Sequence, residues 1–321
     1  MIAFDDDPAL AYVASAEGSM RATGGDRALD DLGWWELLGS LDDPDARTAL
    51  FAAFRAQGRT LASSAALGGV LALPHLATSG IADGTVAAIR RRSPRRGPVW
   101  VLAGDLDGRA VLFDDPDRGV FLAEPDALSL RAIDVPGHTR LHDVTVDLDA
   151  VARLRDHDPA THARSLQLGR IAAASEILGA AEQAVDAAVD YAGQREQFGR
   201  PIGTFQAVRH ILAWATTDCV AVDSLVRKAL LLIDDLPGHL DAVVKATAGR
   251  NGRQACEHAL QVFGGIGFTA EHPHHHHHQR VLQLDALLGS SAELCRELGA
   301  WLRSGEGHPG YPAAVLLAGV P

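Results

Sequence analysis

The chain is poor in aromatic residues, in cysteine and in positive charge, and no apolar run reaches membrane-spanning length. Phe, Trp and Tyr make up 5% of 321 residues while 47% are hydrophobic, so the core must be built mainly from Ala, Leu and Val. Side chains that small suit closely packed helices. Cys219, Cys256 and Cys295 are scattered and odd in number, which excludes a disulfide framework. They read as buried small hydrophobes in a reducing compartment. The net charge of −12 speaks against a nucleic-acid partner, whose phosphates demand a concentrated positive surface. One basic run, Arg90-Arg91-Arg92-Ser93-Pro94-Arg95-Arg96, has no aromatic residues between its charges and reads as a solvated loop. The acidic start, MIAFDDDPAL, lacks an apolar signal core. With no membrane span, the expectation is a soluble cytoplasmic protein.

What is present divides into three parts and a tail. Residues 1–80 read as helical, with Ala9–Met20 ended at Gly24-Gly25 and Leu29–Leu41 carrying Trp34 and Trp35. Asp43-Pro44 opens a helix over Ala46–Gln57, with Gly58 as its terminator. Val70–Ala77 fits either a helix or a buried segment. Residues 81–149 hold short β-prone runs, PVWVLAG, RAVLFDD, GVFLAEP and VTVDLD. With hairpin-type signals at Asp107-Gly108 and Asp117-Arg118-Gly119, they predict one small antiparallel sheet of four or five strands.

Residues 150–304 turn strongly helical. Ile171, Leu178, Val185 and Val189 recur at the helical repeat, as do Val208, Ile211, Ala215, Cys219, Val222, Val226 and Ala229. Pro237-Gly238 separates the latter helix from one over Leu240–Val262, and a final segment covers Leu282–Leu302. Four long helices with short links predict an antiparallel bundle. The fold class is thus mainly α with a small, reduced β domain. A Gly- and Pro-rich tail fills residues 305–321.

Chemistry concentrates in two stretches. Tyr191–His210, YAGQREQFGRPIGTFQAVRH, leaves a helix, turns at Gly199-Arg200-Pro201 and re-enters a helix after Gly203-Thr204. Its Phe198, Ile202 and Phe205 are interleaved with Arg195, Gln197, Arg200 and Gln206, offering a guanidinium fork beside a flat apolar surface. That combination suits a ligand with phosphates at one point and an aromatic ring at another. Gln261–Pro273, QVFGGIGFTAEHP, closes a later helix with Gly264, Gly265 and Gly267, where bare backbone amides can approach phosphate oxygens.

R-x-Q-F-G-x-P-I-x-x-F-Q followed by Q-V-F-G-G-x-G-F-T-x-E-x-P resembles the acyl-CoA dehydrogenase family, and so does the order of helical, β and bundle regions. The resemblance is strong over about residues 165–295. It implies FAD, shared across a subunit interface, with the pyrophosphate and adenine clamped by one subunit's bundle. By motif position, Arg195 would pair with the pyrophosphate and Gln197 would hydrogen-bond it. Phe198 and Gln206 would border the adenine half. Gln261, Gly264 and Gly265 would supply the second set of contacts.

Two departures from the family qualify that picture. The family's base is a glutamate just before a Gly-Thr, and the matching DALLGSS places Leu288 there. The alternative position, before an arginine matching Arg170, is Gly169. Neither accepts a proton. The family's flavin-ring loop and strand are missing too, within a region shortened to about Ile81–Gly104. The resemblance therefore implies a short, degenerate subunit of the α2β2 type seen in bacterial steroid catabolism. Its partners would be a full-length homologue carrying the base, an acyl-CoA substrate and an electron-transferring flavoprotein.

Two other readings remain open: a scaffold without flavin contact, and a homomeric enzyme with a relocated base. For the latter Glu176, Glu182 and Glu271 are the candidates; their ordinary roles are inter-helix or surface carboxylates and a turn cap. The His274–His278 run, after His272, reads as a solvated or interface segment, since consecutive histidines rarely make a built metal site.

Overall fold

A computed structural model describes residues 7–79, 84–93, 97–134 and 140–304. The tail expected at 305–321 lies outside them. Helices α1 (Pro8–Thr23), α2 (Gly25–Asp31), α3 (Trp34–Leu37), α4 (Pro44–Thr60) and α5 (Ala66–Ser79) come first. Asp7 and Asp43 each cap a helix that has Pro in its first turn, accepting backbone N–H groups that would otherwise be orphaned. The single helix expected over Leu29–Leu41 is broken at Gly33, which takes a φ of 63°. Gly58 does not end α4. It lies inside the helix, where an added Cβ would stand 2.0 Å from the Glu176 carbonyl oxygen. The residue is small because another helix crosses there.

That second helix is α6 (Pro159–Gln194), 36 residues long and roughly 54 Å at 1.5 Å per residue. Every residue from Ile171 to Ala181 is buried, so its middle is enclosed on all sides by α4, α5 and the later bundle helices. The stripe read from Ile171 to Val189 was too narrow in the middle and too long at the end, for Val189 is 47% exposed. Gly179 supports the same crossing from the other side, its Cβ position being 1.9 Å from the Arg55 carbonyl oxygen.

The remaining bundle helices are α7 (Gln206–Leu231), α8 (Leu240–Phe263), α9 (His274–Asp285) and α10 (Ser291–Arg303). Ala215, Cys219, Val222, Val226 and Ala229 of α7 are buried, as their spacing predicts. The segment expected over Leu282–Leu302 is two helices, broken where Leu288 and Gly289 adopt φ values of 57° and 97°. A capping box between Ser290 and Glu293 starts α10 and is the sequence signal for that break.

Among the described residues the β region holds eight short strands in two sheets, where one sheet of four or five was expected. Strands β1 (Val86–Ala87), β4 (Val111–Asp115), β5 (Gly119–Ala123) and β8 (Ala152–Arg155) form one, in the order β1-β4-β5-β8. Strands β2 (Ile89–Ser93), β3 (Gly97–Ala103), β7 (Leu141–Thr145) and β6 (Ser129–Ala132) form the other, in that order. Trp100 of β3 meets Phe113 of β4 edge-on at 5.2 Å, so the two inner faces share one apolar layer. Asp117-Arg118-Gly119 does turn the β4–β5 hairpin. Asp107-Gly108, by contrast, carries the chain from one sheet to the other, because β3 and β4 do not pair. Arg90 to Arg92 belong to β2 instead of a loop, and Arg90 pairs with Asp115 and Asp117. The last strand, β8, lies beyond the limit expected at Asp149.

Candidate functional site

The Tyr191–His210 stretch forms a β-ladder after α6 ends. The Arg195 amide donates to the Tyr191 carbonyl at 2.8 Å, and β9 (Glu196–Gln197) pairs with β10 (Arg200–Pro201). The turn is Phe198-Gly199, with φ values of 55° and 78°, a position earlier than the Gly199-Arg200-Pro201 read from sequence. Two left-handed residues in a two-residue loop match the twist of a hairpin, but phenylalanine rarely occupies such a position. Phe198 stands 94% exposed and touches Phe205 edge-on at 6.1 Å. The Arg200 guanidinium lies 4.2 Å over the Phe205 ring. Arg195, Gln197 and Gln206 are exposed. Among the described residues no hydrogen bond or ion pair engages the Arg195 guanidinium. Gln206 opens α7, whose N-terminus carries no side-chain cap and so presents backbone N–H groups and the positive end of the helix dipole.

The glycine turn lies at the same end of the bundle. Tyr191, at the end of α6, meets Phe263, the last residue of α8, with ring centroids 5.4 Å apart. Gly264 has a φ of 63°, and added Cβ atoms at Gly264 and Gly265 would meet nothing among the described residues within 4 Å. Packing among those residues thus gives no reason for glycine at 265. Gly267 differs, since its Cβ would press on Leu260 and Phe263 at 2.8 Å. Gln261 is exposed on the final turn of α8. The structure thus gathers both motif stretches at one end, with Arg195, Gln197, Phe198, Gln206, Gln261 and Gly265 turned outward.

Gly169 and Leu288, the positions expected to lack a base, are 119 residues apart in sequence and meet each other. An added Cβ at Gly169 would stand 3.0 Å from Leu288 Cδ1 and 2.5 Å from Leu71 Cδ2. Leu71 comes from α5. The loop that carries Leu288 is held from below by charge. Arg170 Nε donates to the Leu288 carbonyl at 3.0 Å, and its Nη1 pairs with Asp241 at 2.8 Å. Fully buried Lys245 donates from Nζ to the Asp285 and Gly289 carbonyls at 3.1 and 3.2 Å. Burial pulls its ammonium down to about 8, while nearby Asp285 partly offsets that. None of these supports was visible in the sequence, because their partners are 40 to 118 residues away.

Of the three candidate carboxylates, Glu176 and Glu182 have partners. Glu176, 2% exposed, accepts from Arg280 Nε at 2.6 Å and from Gln57 Nε2 at 2.9 Å. Glu182 accepts from Arg55 Nε at 2.8 Å. Glu271 is exposed. The histidine run forms the first turns of α9 and is not a solvated segment. His274 is 3% exposed and packs on Phe263 at 5.2 Å, and His277 Nε2 lies 3.3 Å from the Arg59 carbonyl. Burial lowers both imidazoles to about 4, so they are neutral near pH 7.

Residues 160–302 match the family described as acyl-CoA dehydrogenase, C-terminal domain. Acyl-CoA dehydrogenase FadE34 of Mycobacterium tuberculosis is 32% identical over 272 residues, 83% of this chain and 35% of that protein. The 3-(aryl)acrylate reductase of Clostridium sporogenes is 38% identical over 114 residues, 35% of this chain and 30% of the relative. The chain thus spans about a third of the length of these curated relatives. Among solved structures, a variant of the Tcur3481-Tcur3483 steroid ACAD superposes with a TM-score of 0.71 at 24% identity, covering 94% of this chain and 97% of that one. The ChsE4-ChsE5 complex of Mycobacterium tuberculosis gives 0.70 at 20% identity, with 92% and 97% covered. Butyryl-CoA dehydrogenase of Megasphaera elsdenii gives 0.73 at 17%, with 94% and 100% covered. Residues 160–302 thus match an acyl-CoA dehydrogenase C-terminal domain, and the chain as a whole shares its fold with butyryl-CoA dehydrogenase.

Proposed function

We propose that this chain is one subunit of a flavin-dependent acyl-CoA dehydrogenase that desaturates the Cα–Cβ bond of an acyl-CoA thioester. A full-length homologue would complete it as an α2β2 heterotetramer and supply the catalytic base. One observation carries this reading. The phosphate-clamp residues face outward, while both base positions are packed shut by Leu71, Gly169 and Leu288. The donor set at the hairpin fits the phosphate and adenine half of FAD: an exposed guanidinium, amide donors, an exposed aromatic face and an uncapped helix N-terminus. The Gly169–Leu288 contact does not fit a reacting centre, having no group that takes up a proton.

In this reading Arg195 and Gln197 bind the pyrophosphate, and Phe198 and Gln206 border the adenine. Gln261, Gly264 and Gly265 approach the same half through an amide and bare backbone. When bound, FAD supplies the acceptance of hydride from the β-carbon. The partner's carboxylate takes the α-proton, and this chain orients the cofactor and keeps water from it. Electrons leave to an electron-transferring flavoprotein. A steroid-derived acyl group is the substrate class we favour, in keeping with the similar steroid ACAD structure.

Two experiments test the assignment. The chain is purified alone and together with a full-length homologue encoded beside it, and flavin content and turnover are measured. Activity is expected of the pair; flavin retention and turnover by the solitary chain would overturn the heteromer. In the complex, Arg195→Ala removes a charge-assisted contact of about 1.5–3 kcal/mol, so flavin should bind roughly 10- to 100-fold more weakly. Unchanged flavin content would favour a scaffold without cofactor contact.

A further inference from the structure

A cluster remote from the hairpin has no part in that chemistry. Asp114 lies in β4 and is 8% exposed, His157 in the link before α6, and His162 in the first turns of α6. His157 Nδ1 is 2.7 Å from Asp114 Oδ1, and His162 Nδ1 is 2.8 Å from Asp114 Oδ2. The imidazole rings are 5.2 Å apart. Three ligand-type atoms therefore lie within 4.8 Å of one another, and among the described residues no other group of three does so.

A fourth residue lies beside the carboxylate. His75 of α5 is 2% exposed and places Nε2 3.7 Å from Asp114 Oδ2. Its Nδ1 faces an Arg155 nitrogen at 2.9 Å, and because a guanidinium has no acceptor, Nδ1 must be the bare nitrogen. The proton of the neutral ring then sits on Nε2, the nitrogen nearer Asp114.

We propose that Asp114, His157 and His162 form a binding site for a divalent transition-metal ion of the zinc type, clipping β4 to the start of α6. The donor set is two imidazoles and one carboxylate, which suits zinc or cobalt better than calcium or magnesium. Ligand bonds of about 2.0–2.1 Å in a tetrahedral site put donors roughly 3.3 Å apart. The present 2.7 and 2.8 Å separations need to open by about half an ångström, within reach of small side-chain rotations. On binding, each imidazole takes the tautomer with its one ring proton on Nε2, so that a bare Nδ1 faces the ion. The His162 side chain is 31% exposed, which gives an ion an entry path and leaves a fourth position for water.

The test uses the full chain, in the assembly in which it purifies, stripped with chelator and titrated with Zn²⁺ and Co²⁺. Because His274–His278 also attracts metal, the titration is done in a background carrying His275→Ala and His276→Ala. One ion per chain is expected, with the visible absorption of a low-coordinate Co²⁺ site and a raised melting midpoint. His157→Gln and His162→Gln should each weaken binding at least 10-fold. His162 is partly exposed, so its variant is suited to a folded comparison, checked by circular dichroism. His75→Gln should weaken affinity while stoichiometry stays at one. No ion bound in the background protein, or binding unaltered by His162→Gln, would overturn the proposal.

Discussion

Gly169 lies against Leu71 and Leu288, whose side-chain ends would stand 2.5 and 3.0 Å from an added Cβ. In the proposed assembly this apolar contact holds no base. Gly169→Ala would press a methyl on two flexible leucine ends, which is expected to cost about 1–3 kcal/mol of stability in a urea titration. Leu288→Glu restores the family's residue type in an apolar contact that is 9% exposed. The solitary variant should be less stable and still inactive; dehydrogenase turnover by it would refute the idea that the site is closed. Glu176 was a candidate base by sequence, but Arg280 and Gln57 hold its carboxylate. Glu176→Ala takes the Glu176 carboxylate from buried Arg280, with an expected loss of about 3–5 kcal/mol by chemical denaturation.

Between helices, α4 and α6 cross backbone to backbone at Gly58 and Gly179. The atoms that block a side chain there are carbonyl oxygens at 2.0 and 1.9 Å, which no rotamer change can move. Gly58→Ala and Gly179→Ala should therefore destabilise more than Gly169→Ala, by upwards of about 3 kcal/mol on the same measurement. Neither glycine was legible as a packing residue. A glycine near the end of a helical pattern reads as a terminator from local sequence alone, and the backbone it must clear lies 118 or more residues away. The cap signals fared better. Asp43-Pro44 and the regular spacing of α7 each depend on residues within a turn or two, and both are present as expected.

For the whole molecule, the buried histidines set the response to acid. His274 and His277 are held down to about 4 by burial, whereas unfolded imidazoles titrate near 6.5. Between those values the unfolded chain binds more protons, so stability is full above about pH 6.5 and falls as pH drops toward 4. The slope is at most about 1.4 kcal/mol per pH unit for each imidazole. Urea midpoints at pH 7.5 and pH 5 should differ in that direction, and a flat profile would contradict the burial of the run.

The sequence by itself determined the fold class, the helix start at Asp43-Pro44, the buried face of α7 and the two motif stretches at Arg195–Gln206 and Gln261–Pro273. Each rests on short-range rules: a cap, a repeat of 3.6 residues, or a chemical type at a fixed spacing. It also showed that Gly169 and Leu288 carry no base, since residue identity alone says so. Tertiary structure decided what those positions face. It brought Leu71 and Leu288 against Gly169, enclosed the middle of α6 on all sides, split the strands into two sheets and moved the turn to Phe198-Gly199. It also drew Asp114, His157 and His162 together from three places in the chain. Such contacts depend on which distant surfaces pack, and packing is settled by shape and burial across the whole fold.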